Sequence, residues 1–253
     1  MTINHGEGHL TTTPCVKESS VQKVIYLLWQ PGQDTFEPFA SQLSGPLADR
    51  LRTLGAQDLQ LNLADADVAA ADGLRQEQAG PLPQAVLSFW LDSAVAEFRR
   101  PFDEALQAIC ARIAGYLVCE SVPIRNTRFP AVPGQRTQGF SQLALLQRPT
   151  RLTHEAWLEV WQNHHTRVAI DTQDNFQYVQ NLVVQVLTPG ATPLAAIVEE
   201  CFPSAAMFDP QAFFDAPGDE EKFQRNLALM MDSCQRFIDF DQLGVLPTSQ
   251  YPL

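Results

Sequence analysis

No stretch of this 253-residue chain approaches the roughly 18 apolar residues in a row that a membrane-spanning helix needs. Basic side chains are scarce: 17 lysines and arginines stand against 29 aspartates and glutamates, giving a formal charge of −12. That sign is wrong for neutralising phosphates, which argues against nucleic acid and anionic membrane as partners. Cys15, Cys110, Cys119, Cys201 and Cys234 form no CxxC pair, so zinc ribbons and disulfide frameworks are disfavoured and a reducing cytoplasm is the expected location. The last four read as small buried apolar residues. A Gly-rich phosphate cradle and a GxSxG elbow are both missing, which argues against nucleotide binding and α/β-hydrolase chemistry. Residues 1–19 lack a hydrophobic run after a basic start, so they read as a flexible polar tail rather than a secretory signal.

With 45% apolar residues the chain can build a packed core, and an internal repeat organises it. Ile25 to Pro31 (IYLLWQP) recurs as Leu143 to Pro149 (LALLQRP), an apolar strand stopped by proline. Thr35-Phe-Glu37 then aligns with Thr153-His-Glu155, each offering a helix N-cap hydroxyl and a first-turn carboxylate. Phe39 aligns with Trp157, Leu43 with Trp161 and Leu47 with His165. Ala85 to Leu91 corresponds to Ala196 to Phe202, and Cys110 to Ile113 to Cys234 to Phe237. Pro130, Pro133 and Gly134 mark a linker, leaving one unit at residues 20–126 and a second at 137–253.

Each unit reads strand, helix, strand, strand, helix, strand. In the second these are expected at 140–147, 153–170, 176–187, 195–201, 219–234 and 236–246, the last two strands of the two units ending on Pro123 and Pro247. The order is that of a ferredoxin-like βαββαβ unit, with both helices on one face of an antiparallel sheet. The bare face needs a second sheet, which a chain with two units supplies internally. The predicted fold class is therefore α+β, an intrachain dimeric α+β barrel, and a monomer or weak homodimer follows from that closure.

Histidine is the side chain best suited to proton transfer near neutral pH. His5 and His9 lie in the polar tail, so His154, His164 and His165, all in one amphipathic segment, are the candidates. His154 and His165 lie about 16 Å apart along a helix and cannot share an ion. Adjacent His164 and His165 diverge by about 100°, so no metal site is expected. Counted at the α-helical period from Trp157, His164 falls in the apolar stripe of Val160, Trp161 and Val168, and His165 at its edge. Periodicity thus makes His164 core-facing and His165 a boundary residue. Ser44-Gly45-Pro46 is expected to interrupt the helix of the first unit, confining proton chemistry to the second. Arg99-Arg100-Pro101 reads as a solvated turn.

The spacing Trp157-x-x-Val160-Trp161-x-x-x-His165 resembles the first-helix signature of the EthD family, and Tyr178-Val-Gln-Asn181 resembles its next strand. That resemblance selects His165 over His164. It implies a barrel of two ferredoxin-like sheets around a pocket and cofactor-independent chemistry on a small apolar carbonyl or aromatic compound, of lyase, isomerase or decarboxylase type. His165 would be the general acid/base, titrating near 6 to 7. Trp161, Tyr178, Asn181 and His164 would contact substrate, with Tyr178 as a phenolic donor and Asn181 as an orienting amide. The alternatives are a non-catalytic small-molecule-binding accessory protein of a catabolic pathway, and a haem-binding barrel with the pocket histidine as axial ligand.

Overall fold

A computed structural model describes residues 21–32, 35–78 and 80–253 of the chain; the tail with His5, His9 and Cys15 lies outside the described residues. Strands β1 (Gln22–Trp29), β2 (Gln57–Leu63), β4 (Ala85–Leu91) and β5 (Arg112–Ile124) form one antiparallel sheet in the order β2-β4-β1-β5. Strands β6 (Phe140–Leu146), β7 (Gln177–Val186), β8 (Ala196–Phe202) and β9 (Gly244–Pro252) form the other, in the matching order β7-β8-β6-β9. The sheets join edge to edge, β5 to β7 and β9 to β2, so eight strands close into a barrel within one chain. A two-residue strand, β3 (Gln76–Glu77), adds to the start of β9.

Closure explains why β1 and β8 read as near-continuous apolar runs, since their residues are buried on both faces. Inside the barrel Ile25, Leu27, Tyr116, Leu143, Leu145 and Ile197 make one core. Outside, Val24, Tyr26 and Leu28 pack under the helices of the first half, while Leu146, Trp157, Trp161 and Phe237 anchor the core of the second. Toward one end the barrel interior turns polar. Buried Glu199 accepts hydrogen bonds from Gln60 Nε2 (2.9 Å), Asn62 Nδ2 (2.9 Å), Ser141 Oγ (2.8 Å) and Gln250 Nε2 (2.8 Å). Lys23 pairs with Glu120 nearby and donates to Asn181 Oδ1 at 3.0 Å.

Four sequence expectations are corrected. The last strand is β9 at Gly244–Pro252 rather than 236–246, because the preceding helix runs on to Phe237. Pro247 does not end that strand: it lies between the residues that pair with β3 and those that pair with β2, where one side of the strand is unpaired and a proline is tolerated. Arg99 is no solvated residue. It sits buried in the helix Ala96–Gln107, bonds Asp103 at 3.0 Å and donates to the Leu187 carbonyl at 3.1 Å, tying the two halves together. Cys119 is exposed, whereas Cys110 and Cys201 are buried as expected.

The helix at residues 36–53 also survives Ser44-Gly45-Pro46. It loosens into a wide π turn at Leu43–Leu47 that holds Pro46 without leaving the helical path, and it ends at Gly55, whose φ of 105° turns the chain toward β2. The corresponding helix of the second half, residues 154–172, carries the same device at Glu159–His165.

Candidate active site

The wide turn decides which histidine faces inward. A π turn carries about one more residue than an α turn, which delays the phase of everything beyond it by about 100°. His165 therefore takes the inward direction that a regular helix assigns to His164. Trp157 and Trp161 are 0% exposed and His165 8%. His164 is exposed and pairs with Glu159 across 3.4 Å, so its expected core position and substrate contact are both overturned. His164→Ala is accordingly expected to change stability by no more than about 0.5 kcal/mol, measurable by urea unfolding.

Between the helices of the second half and the outer face of its sheet lies a cavity of about 550 Å³. Its floor carries a row of polar side chains abreast on three strands: Tyr178 of β7 pairs in register with Glu200 of β8, and Glu200 with Gln142 of β6. Trp161, His165, Phe213, Phe214, Met230 and Phe237 also line the cavity. The first half contributes Ala70, Gly73, Leu74 and Gln76, so the cavity is built from both halves. In the first half the positions matching Gln142 and Glu200 are Val24 and Phe89, paired in the same register and wholly buried, and Leu47 stands where His165 does. That half holds core where the second holds a cavity.

Each polar group has a defined environment. His165 Nδ1 lies 2.9 Å from Ser233 Oγ, and the ring leans on Phe237 with centroids 4.5 Å apart. Burial without a carboxylate partner pushes the imidazole down to about 4, so the ring is neutral at physiological pH. This corrects the expectation of a histidine titrating near 6 to 7. In the tautomer where Ser233 donates to Nδ1, Nε2 carries the proton and is itself a donor. Glu200 moves the other way: burial pushes its carboxyl up to about 7, against the bond it accepts from Asn175 Nδ2 at 2.8 Å. The Tyr178 hydroxyl accepts from Gln180 Nε2 at 2.9 Å, and burial holds the phenol well above its ordinary range.

Of the predicted site residues the structure brings together His165, Trp161 and Tyr178. Asn181 points into the barrel, where it accepts from Lys23 and donates to the Ile197 carbonyl at 3.0 Å; strand alternation puts it on the face opposite Tyr178. Glu200, Gln173 and Ser233 were not predicted. Glu200 left a trace in the sequence, since two adjacent carboxylates in the apolar run AIVEECF must send one to each face of a strand buried on both sides. No group of three or more His, Cys, Asp or Glu among the described residues is placed to hold a metal ion.

Residues 149–241 match the model of the EthD domain. None of the curated proteins matches the chain in sequence. Among solved structures it is similar to an anthrone oxidase-like protein, at 9% identity over 93% of this chain and 94% of that one with a TM-score of 0.56. It is also similar to a candidate monooxygenase from Fusobacterium nucleatum, at 6% identity over 93% and 94% with a TM-score of 0.50. At such identities the likeness is one of fold, the dimeric α+β barrel.

Proposed function

Because residues 149–241 form an EthD domain within an α+β barrel, we propose that the chain is a cofactor-independent enzyme that moves a proton on a small, largely apolar carbonyl or aromatic compound held in the 550 Å³ cavity. The observation that carries this reading is the presence of Glu200 and His165 together in one apolar chamber, His165 buried and Glu200 half-buried by packing, with hydrogen bonds to Ser233 and Asn175 rather than an ion pair. A carboxyl near 7 is ionised often enough to take a proton and protonated often enough to return it. A neutral imidazole donating from Nε2 suits a carbonyl oxygen that gains negative charge as the neighbouring carbon loses its proton. In the step we assign, the Glu200 carboxylate takes that proton, the C–H electron pair moves into the enolate, and His165 holds the oxygen. Return of the proton to a different atom is isomerisation, and loss of a group from the enolate carbon's neighbour is a lyase outcome.

The residues present do not fit haem. Among the residues lining the cavity there is no lysine or arginine to meet haem carboxylates, and Glu200 would repel them. No helix among the described residues is long and apolar enough to cross a membrane. A monomer is the proposed state, since β5–β7 and β2–β9 pairing closes the barrel inside one chain.

The test uses β-tetralone, an enolisable apolar ketone, in D₂O, with exchange of its α-protons followed by NMR. His165→Ala is expected to slow exchange by about 10²- to 10³-fold, the cost of losing an oxyanion donor, and Ser233→Ala by less, through loss of control over the tautomer. Exchange that is no faster with the native protein than without it would overturn the enzyme reading and favour a binding protein.

A further inference from the structure

Asn175 stands just before β7, and the backbone on either side of it is fixed. The Asp174 N–H donates to the Phe213 carbonyl at 3.1 Å and the Phe176 N–H to the Cys201 carbonyl at 2.8 Å. Cys201 follows Glu200 on β8, so the second of these bonds brings the Asn175 side chain to that carboxyl. Asn175 is 8% exposed, and its Nδ2 donates to Glu200 Oε1 at 2.8 Å, the one hydrogen bond its side chain makes. The other end of the amide, Oδ1, is buried and has no partner. A buried acceptor without a donor costs free energy. The donor that would relieve it is Glu200 itself, because a protonated carboxyl carries an O–H and a carboxylate does not.

The groups around Glu200 leave it as the one that changes charge. Tyr178 on β7, Cys234 on the last helix and His165 on the histidine helix approach it in the cavity. Burial holds the Tyr178 phenol well above its ordinary range, pushes the Cys234 thiol up to about 12 and keeps the imidazole down at about 4. Glu199 and Cys201 face the barrel interior, where both bond Gln250, and Asp174 pairs with Arg128 at the surface.

We propose that Asn175 is a positioning residue that serves both protonation states of Glu200: Nδ2 donates to the carboxylate, and Oδ1 accepts from the carboxyl O–H once Glu200 has taken the substrate proton. The assignment rests on the preceding reading of Glu200 as the base. The proton goes no further than Glu200, where it forms the O–H bond, and it leaves when a C–H bond forms again. The exchange of partners needs at most a turn of the amide about its Cβ–Cγ bond, which breaks no hydrogen bond other than the one to Glu200. A base bonded in one state only is drawn toward that state, whereas one bonded in both keeps its place and can return the proton.

Neutron diffraction from crystals of the native protein in D₂O, at about pD 5 and about pD 9, reads the deuterium positions that distinguish a donor from an acceptor. At the higher value the Asn175 Nδ2 is expected to face Glu200, and at the lower a deuteron on Glu200 is expected to point at Oδ1. A deuteron on Glu200 that points elsewhere would overturn the Asn175 assignment and leave Glu200 standing as the base. A Glu200 that carries no deuteron at the lower value would overturn both. In solution, Asn175→Leu is expected to slow β-tetralone exchange about tenfold across the pH profile, because both states lose their anchor. Its Glu200 midpoint is expected to move by roughly half a unit, whereas loss of a donor to the carboxylate alone would raise it by about one to two units. A rise of that size with the plateau rate kept would also overturn the assignment. The neutron comparison uses the native protein and stands whether or not the variant folds.

Discussion

Glu200→Gln is expected to slow α-proton exchange of an enolisable ketone by about 10²- to 10⁴-fold, the usual cost of losing a general base. The same change is expected to make the protein more stable above pH 7. The Glu200 carboxyl is raised from 4.5 to about 7 in the fold, so the folded state binds more protons than the unfolded chain between those values. Stability therefore falls as pH climbs through that window and stays lowered above 7, where the buried charge persists. Two and a half units correspond to roughly 3 kcal/mol at most. His165 acts in the opposite sense. Its folded value near 4 lies below the ordinary 6.5, so its contribution is full above 6.5 and is lost as pH falls toward 4. Between about 4.5 and 6.5 the two slopes oppose each other. Urea unfolding at pH 5.5 and 8 should then show Glu200→Gln gaining more stability over the native protein at the higher pH than at the lower. A variant that loses exchange without gaining stability at pH 8 would remove Glu200 as a desolvated, charged base. Coupled gain in stability and loss of activity is what a site held under strain predicts.

The second large effect concerns the other carboxylate of the same strand. Glu199 faces into the barrel and gathers donors from β2 (Gln60, Asn62), β6 (Ser141) and β9 (Gln250). Glu199→Leu strands these donors in a closed interior and is expected to cost about 3–5 kcal/mol, as when one partner of a buried polar group is removed. Glu199→Gln keeps one acceptor oxygen and is expected to cost less. The donors sit on strands from both halves, including the β2–β9 seam, so the loss should appear as one cooperative shift in urea midpoint with an unchanged slope. A separate early transition would mean that the seam opens alone and that Glu199 does not hold it.

The sequence by itself determined the α+β class, because the strand and helix periods and the order βαββαβ are local patterns that a one-dimensional reading retains. It also determined that any histidine chemistry lies on the helix at residues 154–172, since the remaining two histidines sit in the polar tail. The resemblance of Trp161 and His165 to the EthD spacing selected the ring that lines the cavity, which periodicity put at the boundary while placing His164 in the core. Periodicity failed there because it assumes 3.6 residues per turn throughout, and the wide turns at Leu43–Leu47 and Glu159–His165 depend on backbone geometry that residue types alone do not announce. The length of the helix ending at Phe237, and with it the position of β9, went astray because Pro247 marks a strand end only when both neighbours of that strand are known to pair there. Glu200, Ser233 and Gln173 were decided by tertiary structure. Ser233 reaches His165 from 68 residues away, and Glu200 stands beside Tyr178 only through the register of β7 and β8. The pKa values on which the proposed chemistry depends, near 4 for His165 and near 7 for Glu200, come from burial. Burial belongs to the packed chain as a whole, so no local run of residues encodes it.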